Sequence, residues 1–184
     1  MFEPLSLPFK LSVARCQILS VLFAALLLSA CNRSKLPSSF AVVRADRQIT
    51  GQSTYPLAID PNRVGTYPPD AKSGAGYFYD EVLEYRVWLH PENGAKPLNG
   101  RDDYFVAFAQ YEKAKTFSNS TPGAEEPLVL VRQLQWINEP ERGRFIPVKE
   151  ERIAEWQVRW LQDSKRTPMS IEEFMKHPHE AGPP

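Results

Sequence analysis

The chain has 184 residues, 42% hydrophobic and 24% charged, with a formal net charge of zero. That is globular composition, which excludes a fibrous or wholly disordered chain, and a chain without a net field has nothing to draw in nucleic acid. Proline is the outlier: its 17 residues are close to twice the usual ~5% share.

The first 30 residues read as an export signal. Lys10 and Arg15 precede an apolar run, Ile18 to Ala30 (ILSVLFAALLLSA), broken only by Ser20 and Ser29. Cations, then an apolar stretch, then small residues is the layout of a secretory signal. The run is too short to span a bilayer, which takes ~20 apolar residues. It also lacks the polar face of a buried amphipathic helix. Without residues 1–30, which hold Lys10, Arg15 and Glu3, the remainder carries 20 basic and 21 acidic side chains.

The run ends in Leu28-Ser29-Ala30-Cys31. This resembles the lipobox of bacterial lipoproteins, in which an aliphatic residue and two small ones precede a cysteine. The resemblance implies diacylglycerol on the Cys31 thiol, cleavage just before it and acylation of the new amine, so that the partner of the chain is a lipid membrane. A thiol is required because sulfur is the nucleophile that takes the lipid. Cys16 lies inside the signal, which leaves Cys31 as the single cysteine of the mature chain and rules out an intrachain disulfide there. In that family Asp after the cysteine retains the protein in the inner membrane. Asn32 stands there instead, which implies the outer membrane, facing the periplasm.

Residues 31–76 read as the lipidated N-terminus and a tether. Pro37, Pro56, Pro61, Pro68 and Pro69 punctuate them, with Gly51, Gly65, Gly74 and Gly76. Ala41-Val42-Val43 and Tyr55–Ile59 are short extended pieces suited to the edge of a domain. A flexible stretch of this length spans about 35–40 Å end to end.

Residues 77–176 read as the folded unit. Tyr79–Leu89 alternates as a strand, with Leu83, Tyr85, Val87 and Leu89 on one face and Val82, Glu84, Arg86 and Trp88 on the other. Asn93-Gly94 and Asn99-Gly100 mark turns. Asp103–Ala109 is rich in strand formers, and Gln110–Ser118 has the spacing of a short helix ended by Thr121-Pro122-Gly123. Leu128–Ile137 reads as a third strand, Asn138–Arg144 as a turn and Arg144–Val148 as a short strand. Ile153–Leu161 fits a helix or a strand, with strand preferred. Thr167-Pro168 opens a last helix to Lys176, with Thr167 at the N-cap, and 177–184 is a disordered tail. The order predicts an α+β fold, a mostly antiparallel sheet with two short helices, in which a crossover between parallel strands fits around the Gln110 helix.

No Gly-rich phosphate loop, G-x-S-x-G elbow or H-E-x-x-H motif is present, so no cofactor or metal is expected. His90, at the end of the first strand, is the one histidine inside the folded unit. As a general base it needs an orienting carboxylate, for which Glu92, Asp102 and Asp103 are at hand. Arg86 lies in mid-strand beside Tyr85, Trp88 and Tyr104, where a guanidinium binds an anion or stacks. Arg86, His90 and Asp103 are therefore the first candidates for chemistry. The four tryptophans, Trp88, Trp136, Trp156 and Trp160, are candidates for a groove. The acidic pairs, Glu125-Glu126 among them, read as solvated charges, and His177 and His179 as part of the tail.

The segments GYFYDEVLEYRVWLHPENG, DDYFVAFAQYEKAKTFS, PGAEEPLVLVRQ and EWQVRWL…RTPMSIEEF also look similar to small bacterial proteins of unassigned role, sometimes labelled acetyltransferase-like. The acetyltransferase family carries a Q/R-x-x-G-x-G/A pyrophosphate loop. That loop is not found here, and no coenzyme A residue carries over. The leading expectation is a non-enzymatic envelope lipoprotein whose domain binds a small ligand or an envelope protein. The alternatives are a small transferase and a purely structural envelope component.

Overall fold

The structure, a computed structural model, describes residues 43–44, 53–74, 76–100 and 102–178, all within the compact unit Pro37–Pro184. Cys31, the signal and residues 179–184 lie outside the described residues. The fold is α+β with a mostly antiparallel sheet. In chain order the elements are β1 (Val43–Arg44), β2 (Lys72–Ser73), β3 (Glu81–Leu89), β4 (Tyr104–Phe108), α1 (Tyr111–Ser120), β5 (Leu128–Gln133), β6 (Trp136–Glu141), β7 (Arg144–Val148), β8 (Arg152–Gln157) and α2 (Ser170–Lys176). The main sheet has the order β1-β4-β3-β5-β8-β2, and β6 and β7 form a separate hairpin.

β3 is the spine. It runs antiparallel to both β4 and β5, so those two point the same way and the chain crosses from one to the other through α1, as the sequence allowed. Both faces of β3 are buried. Tyr85, Val87 and Leu89 pack with Val106, Val129, Ala154 and Trp156 into the largest core, on the side of Ala114 in α1. A bulge between Val82 and Glu84 shifts the register against β5. An extra residue in one strand turns the side chains beyond it to the opposite face. Val82 therefore joins Tyr85 in the first core, while Leu83 goes to the other face with Leu130. The strict alternation expected for Leu83 and Val82 is corrected accordingly.

The second face has its own cover, and that cover comes from the segment expected as tether. Residues 53–74 are packed. Ala58 and Val64 are buried with Phe105 and Ala107, and Tyr67 with Leu83 and Leu130. The backbone N–H of Ala58 donates to Ala109 O at 2.9 Å and that of Ile59 to Val82 O at 2.8 Å. The folded unit therefore starts well before residue 77. Few apolar residues suffice here, because the segment caps a small area and meets its hydrogen bonds against the sheet. β1 and β2, from this same N-terminal part, pair in parallel with β4 and β8 and cover the two edges of the sheet.

Four local readings also change. The third strand breaks at Leu134, whose N–H donates to Asp80 Oδ2 at 2.6 Å, and the chain leaves the sheet for the hairpin. The expected turn at 138–144 is mostly strand β6. Ile153–Leu161 is strand to Gln157 and then a 3-10 turn, Val158–Leu161, so each periodicity holds over half of it. Thr167 is not the N-cap of α2. The helix starts at Ser170, and the Thr167 N–H donates back to Ser170 Oγ at 2.8 Å in a turn of its own. No helix among the described residues is long and apolar enough to cross a membrane.

Candidate functional site

Arg86 lies on the second face of β3, fully buried with Glu84 beside it. Its Nε donates to Glu84 Oε1 at 2.8 Å, its Nη2 to Pro68 O at 2.7 Å and its Nη1 to Pro69 O at 3.3 Å. Glu155 Oε1 lies 3.6 Å from Nη1, and the guanidinium stacks 4.3 Å over the Phe105 ring. The other oxygen of Glu84 accepts the Gly65 N–H at 2.6 Å. Burial raises the Glu155 carboxyl above its ordinary pKa, against the pull of Arg86 and of Trp88 Nε1 at 3.1 Å. Every side of the guanidinium is engaged. Arg86 is a buried anchor that holds residues 65–69 on the sheet, with no face left for a ligand.

His90 is a separate centre four residues further along. Its Nδ1 lies 3.0 Å from Asp103 Oδ2 and its Nε2 2.9 Å from Glu125 Oε1. The Nε2 contact is an ion pair without the alignment of a hydrogen bond. The ring thus links the end of β3, the approach to β4 and the approach to β5. The structure brings His90 and Asp103 together, as the sequence suggested, and leaves Arg86 out of the group. Partial burial pulls the His90 pKa down, but Asp103 and Glu125 outweigh it and leave the pKa above the ordinary 6.5. A ring with a carboxylate beside each nitrogen is a clasp between three connections.

Glu125 is the partner that sequence reasoning missed. It reached His90 through backbone pairing: Leu89 bridges Ala124, the His90 N–H donates to Gly123 O at 2.9 Å, and the Glu125 N–H donates to Trp88 O at 2.9 Å. Gly123 makes this approach feasible. At φ +70° a Cβ would sit 2.3 Å from Ala95 N and 2.8 Å from His90 O, so no side chain fits. The Thr121-Pro122-Gly123 run was legible as a helix stop, but nothing in it marks the pairing that follows.

Glu125 also lines a cavity of about 540 Å³ between α1 and the ends of β5 and β8, together with Tyr55, Tyr111, Leu128, Val158 and Arg159. The Tyr55 and Tyr111 rings meet edge to face, centroids 4.8 Å apart. Tyr55 is held there because the Thr54 N–H and the Ser53 hydroxyl donate to the Glu112 carboxylate at 2.6 and 2.8 Å. The four tryptophans do not gather into a groove. Trp156 is core beside Tyr79, with Trp160 against it. Trp88 lies on Phe105, and Arg152 stacks on Trp136. Among the described residues no group of three or more His, Cys, Asp or Glu side chains is arranged to hold a metal ion. No protein-family model, curated protein or solved structure matches the chain.

Two predictions follow from these geometries. Arg86→Met leaves Glu84 and Glu155 buried without their cation, and equilibrium urea unfolding should show a loss of about 3–5 kcal/mol; a loss below ~1 kcal/mol would mean that apolar contacts alone hold the segment. The second concerns His90, whose folded pKa is raised. Its contribution is complete below the unfolded value of 6.5 and fades as the pH climbs through the folded value. Thermal melts should therefore show wild type losing its margin over His90→Gln on going from about pH 6 to about pH 9, and a constant margin would contradict the clasp.

Proposed function

We propose that this chain is a lipid-anchored envelope protein, held to a membrane through acylated Cys31, whose α+β domain binds a small ligand or a partner. The observation that carries the anchor is the position of Cys31 directly after the apolar run Ile18–Ala30, in the setting Leu28-Ser29-Ala30-Cys31. Asn32 supports the outer membrane, facing the periplasm. Val43, already paired to β4, lies twelve residues after Cys31. A fully extended chain of that length reaches about 40 Å, so the anchored domain stays within that distance of the lipid.

The binding half of the reading rests on the cavity beside Tyr55 and Tyr111. Its volume of about 540 Å³ falls within the ~300–1,000 Å³ usual for small-molecule sites. The alternative, a small transferase acting through Arg86, His90 and Asp103, is less well supported. Arg86 is bonded on every side, and both nitrogens of His90 face carboxylates.

Intact mass of the protein from its native membrane fraction, beside Cys31→Ala, tests the anchor. The expected result is a chain that lacks residues 1–30 and carries added acyl mass, with both changes abolished in the variant. A full-length, unacylated chain outside the membrane fraction would overturn the proposal.

A further inference from the structure

The cavity beside α1 carries charge of both signs on a lining that is in larger part apolar, with Gln157 as a further polar group, and this restricts what it can accept. Tyr55, Tyr111, Leu128 and Val158 form the apolar wall. Glu125 supplies the negative charge, held from behind by His90 and half exposed on its other side. Its neighbour Glu126 also borders the cavity, but is already paired with Lys115. Arg159, on the 3-10 turn after β8, supplies the positive charge. It is exposed and has no ion-pair partner among the described residues. An uncharged apolar ligand would use neither charge. An anion would meet Glu125, and a cation would meet Arg159.

On the premise that this cavity is the binding site, we infer that its ligand is a small zwitterion with an apolar body: an apolar amino acid or a dipeptide with both ends free. The ammonium group pairs with Glu125, the carboxylate with Arg159, and the side chains lie on the tyrosine wall. Each ligand charge meets a group of opposite sign, so no charge enters the cavity unpaired. Glu125 is also oriented before the ligand arrives, because the His90 clasp and the backbone pairing of residues 123–125 fix the loop. That lowers the ordering cost of binding. Arg159, with its planar fork of donors, matches a carboxylate in two-point fashion.

The test is calorimetric titration of the full chain, extracted from its membrane in detergent, with four probes: leucyl-leucine, its N-acetyl form, its C-terminal amide and the form blocked at both ends. Leucyl-leucine should bind saturably. Blocking either end should weaken it by roughly tenfold or more, the size of one charge-assisted hydrogen bond. Glu125→Gln should weaken the free dipeptide to the same extent and leave the N-acetyl form unchanged. Arg159→Gln should do the same for the free dipeptide and leave the amide unchanged. If the doubly blocked form binds as well as the free one, the cavity is a binding site that does not read the ends, and the zwitterion assignment falls alone. If no probe binds up to about 10 mM, the assignment and the binding reading fall together.

Discussion

The burial of Arg86 between two glutamates is the constraint on which the rest of this fold depends. A central strand buried on both faces normally carries apolar side chains on both. Here the second face of β3 carries Glu84 and Arg86, neither exposed to solvent. Charges taken out of water persist only with good geometry and further hydrogen bonds around them. The sheet supplies Glu84 and Glu155. The remaining acceptors come from the N-terminal segment, through the carbonyls of Pro68 and Pro69. Consecutive prolines suit this role, since they have no N–H to satisfy and hold an extended backbone that presents its carbonyls. The polar cluster and the segment that covers it are thus mutually dependent.

The same segment manages the edges of the sheet. Open edges invite pairing with other chains, and short covering strands are one way of blocking them. β1 shields β4 and β2 shields β8, with the covering of the second face between them. At the far end of β3, the His90 clasp and the close approach at Gly123 bind three connections into one unit. The cavity lies against that unit and shares Glu125 with it. A rigid rim of this kind suits a site whose charges must be in place before a ligand arrives.

Much of the sheet was legible in the sequence, because alternation and β-branched content report strands directly. β3, β4, α1 and β7 stand close to where periodicity put them. The bulge at Val82–Glu84 was not legible, since it depends on register against β5 rather than on any local preference. The proline- and glycine-rich stretch misled for a physical reason: composition reports that a segment makes no regular structure, not that it makes no contacts. Arg86 and His90 stand out in the sequence as candidates for chemistry. Their surroundings, however, are set by long-range pairing, which brings Pro68 to one and Glu125 to the other. Glu125 in particular reads as half of a solvated pair, and it is the bridge between Leu89 and Ala124 that brings it beside His90.

Residues 64–69 belong to the domain because Glu84 and Arg86 hold them. The amide of Gly65, whose N–H donates to the buried Glu84 carboxylate, reports on this directly. In a native-state hydrogen-exchange measurement it should exchange as slowly as the central amides of β5, through global unfolding only. Exchange of that amide at the rate of an unprotected chain, with β5 still protected, would contradict the account.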